Sequence, residues 1–212
     1  CDWIITGLKC SCLCSSNFAS VYWPKTLLSF SSFSEFFVDD FSSHAGNTSL
    51  WNELSDTVME GGRSKAILVP HSTDKFQRAV LFTLLDPQSC GAAIAGIKKL
   101  VELDLTEYKD IQLRIRGRGQ YRGYEFVIRH KNQFGPKLPS YVHFFEAPDD
   151  FETIILPISA FEAYLQGKPV ENAAPLDKKN VTALGILAYG GVHVHRKQQG
   201  VGALEIDWIK IS

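Results

Sequence analysis

After residue 35 the chain trades apolar for polar residues with a period of two. The clearest case is IQLRIRG, where Ile111, Leu113 and Ile115 take one side and Gln112, Arg114 and Arg116 the other. Successive side chains of an extended strand leave opposite faces, so the stretch predicts a half-buried β-strand. FFVDDF, SKAILVP, RAVLFTLL, YEFVIRH, YVHFFEA, FETIILP, ALGILAYG and GALEIDWIKI are further short runs rich in β-branched and aromatic residues. Gly, Pro, Asn and Asp, the residues that turn a chain, separate nearly all of them. RGRGQYRG joins two runs and is expected to form a hairpin. A helical turn fits at ISAFEAYLQG, which closes on Gly167 with Pro169 beyond. This spacing of strands predicts an all-β domain over residues 36–212, an antiparallel β-sandwich or jelly roll.

Residues 1–35 have no such period and are expected to form an irregular arm. They are rich in Ser, Cys and aromatics, and Asp2 and Glu35 are their only acids. Trp3, Phe18, Tyr22, Trp23, Phe30 and Phe33 are too many aromatics for a freely solvated tail. Such an arm needs a surface to lie on, either the chain's own sandwich or a partner that Trp3 and Trp23 would anchor. The Ser-rich, acid-poor bias is shared with organelle transit peptides. The chain opens on Cys1 rather than Met, as a mature form or a fragment does.

Charge narrows the function. Lys and Arg number 22 against 23 Asp and Glu, a formal net charge of -1, which excludes a protein held to nucleic acid by overall charge. No apolar run approaches the roughly 18 residues of a membrane-spanning helix. No P-loop, nucleophile elbow or dinucleotide-binding turn leads from a strand into a helix. Cys1, Cys10, Cys12 and Cys14 crowd the start while Cys90 stands alone. An odd count argues against a closed disulfide framework, and a soft-metal site, a local disulfide and inert thiols all remain open. His193 and His195 share a strand face without a third ligand nearby and read as surface histidines. The basic set Arg114, Arg116, Arg118, Arg122 and Arg129 has three readings. It is a solvated outer face, a receptor for a partner's carboxylates, or, with Tyr121 and Tyr124 stacking bases, an RNA surface.

The stretch WNELSDTVMEGGRSKA resembles the signature of the complex I intermediate-associated protein 30 family: Trp51, then Asp56, Val58 and Met59, then Gly61, Gly62, Arg63 and Ser64. Here Glu60 is inserted between Met59 and Gly61. Further blocks follow in family order: LDLTEYKDIQLRIRGRGQYRGYEF, FETIILPISAFEAYLQGKPV with Phe151 where Trp is usual, APLDKKNVTALGILA and GALEIDWIKI. The resemblance covers about residues 37–212 and does not reach the arm. It implies a galactose-binding-like jelly roll with no catalysis of its own. Within the signature, Gly61 and Gly62 permit a close backbone approach. Arg63 is expected to reach a carboxylate such as Asp56, and Trp51 and Met59 to fill the core or a pocket edge. In this fold type a calcium ion often ties the first strand to the last. Asp39, Asp40 and Asp207 are the candidate ligands by position, short of the usual six to eight oxygens. No other cofactor is expected.

The resemblance thus implies a non-catalytic assembly factor or accessory subunit of a membrane-bound energy-converting complex, respiratory complex I or a photosynthetic complex. It would sit peripherally on the membrane in a mitochondrion or chloroplast. Its expected partner contacts are Arg63, Arg114, Arg116, Arg118 and Arg122 together with the arm. The alternative is a secreted carbohydrate-binding module with an aromatic platform, for which the sequons at Asn47 and Asn180 speak and the clustered cysteines do not.

Overall fold

The alternating stretches become strands because each offers one apolar face to a common interior. The computed structural model describes residues 35–43, 46–87, 92–132, 138–191 and 197–212, and the expected arm with Trp3 and Trp23, its cysteines, Cys90, His193 and His195 lie outside the described residues. In chain order the strands are β1 (Phe36–Asp40), β2 (Asn52–Ser55), β3 (Lys65–Ser72), β4 (Gln77–Leu85), β5 (Ala92–Leu103), β6 (Asp110–Gly119) and β7 (Gly123–His130). They continue as β8 (Ser140–Glu146), β9 (Glu152–Pro157), β10 (Glu162–Leu165), β11 (Lys168–Pro169), β12 (Val181–Gly191) and β13 (Gly200–Ile211). Every pairing is antiparallel.

Two sheets result. The six-stranded sheet runs β3-β4-β13-β6-β9, with β1 beside the far half of β13, and the seven-stranded sheet runs β11-β10-β8-β7-β12-β5-β2. Ile111, Leu113 and Ile115 of β6 and Leu204, Ile206 and Ile209 of β13 join Tyr124, Phe126 and Ile128 of β7 in one buried cluster. The strict alternation of β6 therefore leaves Gln112, Arg114, Arg116 and Arg118 on the outward face of the six-stranded sheet.

Two local expectations fail. RGRGQYRG is not a hairpin: β6 pairs with β13 and β9, whereas β7 pairs with β12 and β8, so the turn carries the chain from one sheet to the other. Gly119 makes this bend at φ +96°, where a Cβ would lie 2.6 Å from the Val201 carbonyl. ISAFEAYLQG is not helical beyond a single 3-10 turn at Ile158–Ala160. Glu162–Leu165 then extend against β8 and fold back on β11 through a tight turn at Gln166 and Gly167, both at positive φ. The floor under Ala163 outweighs a local helical preference, as tertiary packing generally does.

Candidate functional site

Three features stand out: the signature turn, the buried cluster behind it, and the outward face of the six-stranded sheet. Asp56 is the hub of the turn. It is buried, and Oδ1 accepts the Ser64 N–H at 2.9 Å while Oδ2 accepts the Ser64 hydroxyl at 2.6 Å and the Ile94 N–H at 3.4 Å. The Ser64 hydroxyl oxygen in turn accepts the Asp86 N–H at 3.1 Å. One carboxylate thus joins the turn to the end of β4 and the start of β5. The expected Arg63–Asp56 pair does not form. Arg63 reaches Asp86 instead, at 2.9 Å, with its own side chain largely in water while Asp56 is buried. Gly62 lies so close to Asp56 that a Cβ would stand 2.0 Å from its carbonyl oxygen. Gly61 turns at φ +83°. Met59, expected in the core or at a pocket edge, is 56% exposed, and Val58 beside it is 81% exposed.

Trp51 does sit in the core, and its indole N–H donates to Asp39 Oδ2 at 2.9 Å. The same oxygen accepts the Lys99 ammonium at 2.7 Å, and that ammonium also donates to the Val38 carbonyl at 3.0 Å. The buried Asp39 is therefore already paired with a half-buried cation. Asp40 accepts the N–H and hydroxyl of Ser42, and Asp207 faces outward toward arginines. The three calcium candidates are directed to three different sets of partners, and among the described residues no three His, Cys, Asp or Glu side chains converge.

The outward face of the six-stranded sheet gathers charge that the sequence scatters. Glu205 on β13 accepts a fork from Arg116 at 2.8 and 3.0 Å and a third bond from Arg78 at 2.8 Å. Arg118 stands 3.8 Å from it. Asp207 lies 3.3 Å from Arg114 and 3.7 Å from Arg78. Burial pushes the Glu205 carboxyl up, but the bonded guanidiniums outweigh it and hold the group below the ordinary carboxylate range. Asp207 goes the other way: burial dominates and raises it despite two arginines nearby. The geometry explains the difference, since Asp207 Oδ1 and Arg78 Nε face each other without a hydrogen bond. The register slip between Ile206 and Trp208 places Asp207 at a bulge, where a side chain is re-aimed. Phe151 lies under this network, with the guanidinium carbons of Arg78 and Arg116 at 4.2 and 4.7 Å from its ring centroid. Four guanidiniums meet two carboxylates, and Arg114 and Arg118, with side chains 41% and 47% exposed, hold the surplus charge.

Beside the arginines lies an apolar patch that sequence reasoning missed. Ile67 pairs with Phe82, Phe82 with Ala203, and Ala203 with Arg118, while Leu84 pairs with Val201. Ile67, Phe82, Leu84 and Val201 are all exposed. Each belongs to a strand whose other face fills the core, so the signal was there in RAVLFTLL, which is apolar on both faces rather than one.

Other expected residues are placed apart from this face. Arg122 sits in the sheet-crossing turn, donating to Asp149 at 2.9 Å and to the carbonyls of Gly119 and Tyr121. Arg129 belongs to β7 in the other sheet. Tyr121 and Tyr124 are buried and cannot stack on bases. Asn47 and Asn180 both use their side chains to hold turns. A cavity of about 430 Å³ opens at the β10 end of the sandwich over Tyr141, Phe161, Ala163, Val170, Leu176 and Lys178. Among the described residues its lining holds no carboxylate, imidazole or thiol.

Residues 39–206 match the family described as complex I intermediate-associated protein 30. No curated protein matches the chain. Solved structures share its fold. The family 11 carbohydrate-binding module of a cellulosomal cellulase of Clostridium thermocellum superposes with a TM-score of 0.60 at 17% identity, covering 84% of this chain and 94% of that one. The family 11 module from Clostridium thermocellum in complex with a beta-1,3-1,4-mixed-linked tetrasaccharide gives 0.60 at 19%, with the same coverage. An exo-beta-agarase gives 0.51 at 11%, covering 83% of this chain and 24% of that one. At such identities the likeness shows a common β-sandwich and nothing of ligand.

Proposed function

The chain belongs to the complex I intermediate-associated protein 30 family, and from that premise we propose that it is a non-catalytic assembly factor or accessory subunit of respiratory complex I, acting in the mitochondrion by docking onto a protein of that complex. The observation that carries the reading is the outward face of the six-stranded sheet. It joins the exposed Ile67, Phe82, Leu84 and Val201 to Arg118 and the guanidinium network. Contiguous exposed apolar surface with arginine beside it is the composition of a protein interface. The Glu205 bonds hold Arg78 and Arg116 in place, so those two side chains lose little freedom on docking. The face fits an apolar partner surface with carboxylates at its edge.

The test is co-migration with complex I subunits on native gels of solubilised mitochondria. Phe82→Ser with Arg118→Glu is expected to weaken association at least tenfold, and Arg114→Glu alone to lower it in a salt-dependent way. Wild-type association by both variants would defeat the docking face. A carbohydrate-binding reading has the fold behind it, but the Phe151 ring is engaged by two guanidiniums rather than standing free. Specific binding on a glycan array would revive it.

A further inference from the structure

Asp56 organises a turn whose tip it leaves in water. Besides the Ser64 bonds, the Asp56 carbonyl accepts the Met59 N–H at 2.8 Å and the Met59 carbonyl accepts the Gly62 N–H at 3.2 Å. Gly62 admits no side chain against this backbone. Held from both ends, the tip presents Val58 and Met59 outward, 81% and 56% exposed, with Glu60 exposed next to them and without a side-chain partner among the described residues. A turn tied this firmly around two solvent-facing apolar residues is not explained by the packing of the domain itself. Nor is it remote from the docking face. Arg63 and Asp86 pair two positions beyond the Lys65–Leu84 rung of the β3–β4 ladder, so the turn continues the edge where Leu84 and Val201 are exposed.

We infer that Val58 and Met59 are a preformed anchor that inserts into an apolar concavity of the protein partner, with Glu60 meeting a basic group on its rim. A fixed turn loses little conformational entropy on insertion, and methionine adapts its unbranched chain to an irregular pocket. The Glu60 carboxylate disfavours the other apolar destination, a membrane surface, whose anionic headgroups repel it. The inference rests on the docking role proposed above and deepens it.

The test compares the full wild-type chain with Val58→Ser/Met59→Ser and with Met59→Leu, on the same native gels and by titration against purified complex I intermediates. Both side chains face solvent, so thermal unfolding of the variants should match wild type. The double variant is expected to bind about 30-fold more weakly, the loss typical when an interface anchor is truncated, while Met59→Leu binds like wild type. Undiminished binding by the double variant, with wild type co-migrating, overturns the anchor and leaves the docking role standing. Failure of wild type itself to co-migrate removes the docking role and the anchor with it. Binding to cardiolipin-containing vesicles that the double variant loses assigns the tip to lipid and also overturns the inference.

Discussion

Replacing Asp56 by Ala is the sharpest probe of how the signature turn is held. The carboxylate accepts three hydrogen bonds, from the Ser64 N–H, the Ser64 hydroxyl and the Ile94 N–H. Their loss is unequal. The Ser64 amide is fully buried and would be stranded, which costs about 1–3 kcal/mol. The hydroxyl can rotate to another acceptor, and the Ile94 bond is long at 3.4 Å, so together they add about 1 kcal/mol. Removing a buried charge returns part of its desolvation cost. The net expectation is a loss of about 2–3 kcal/mol, which for a chain of this size lowers Tm by roughly 4–12 °C. Asp56→Asn should fall between, because its amide turns a donor toward the Ser64 donors. Urea unfolding followed by tryptophan fluorescence measures the effect, with the buried Trp51 reporting from behind the turn. A midpoint for Asp56→Ala corresponding to less than about 0.5 kcal/mol of change, with an unchanged slope, would refute the account of Asp56 as the hub.

Two further outcomes follow from partly buried charged groups elsewhere. Burial pushes the Glu125 carboxyl from 4.5 to about 7, so its contribution is fully present below pH 4.5 and is lost as pH rises toward 7. Glu125→Gln should therefore unfold like wild type near pH 4 and be more stable by about 1–3 kcal/mol at pH 8; an equal gap at both pH values would show that the carboxyl is not held neutral. Lys99→Met leaves Asp39 buried with the Trp51 N–H as its remaining donor and should cost about 3 kcal/mol. In a double-mutant cycle with Asp39→Asn the two losses should be clearly less than additive, and strict additivity would mean the pair is not coupled.

The strands that packed one face inward were legible in the sequence because burial imposes a period of two on them. β6 is the model case, with its apolar and basic residues sorted one by one. β5 was not legible: Gly96, Lys98 and Lys99 interrupt its pattern. For Gly96 and Lys99 the structure gives a reason that acts at a distance. A Cβ at Gly96 would stand 2.1 Å from the Ile186 carbonyl of β12, and the Lys99 ammonium reaches back to Asp39. The signature turn was recognisable, yet the fate of Arg63 was not, since Asp86 follows it by 23 positions and is brought beside it only by the β3–β4 pairing. The sheet-crossing turn after β6 was misread because glycines that permit a hairpin equally permit an arch, and only the pairing of β13 between β4 and β6 decides.

That same central place of β13 explains why the proposed docking face had to be assembled rather than read. Arg78, Glu205 and Arg116 are separated by as many as 127 positions in sequence but lie side by side on three adjacent strands. The two carboxylates offset two of the four guanidiniums, and the surplus on Arg114 and Arg118 is exposed and screened by salt. What the paired charges supply is orientation, holding Arg78 and Arg116 against Phe151 and leaving Arg114 and Arg118 exposed for the carboxylates of the proposed partner. Affinity must then come from the apolar side chains beside them, since buried apolar area is the term that salt does not screen. Changes at Arg114 and Arg118 should accordingly act mainly on the association rate and its salt dependence, and changes at Ile67 and Phe82 mainly on dissociation. Should the arginine changes slow association no more at low salt than at high, the division of labour between the two halves of the face would be wrong.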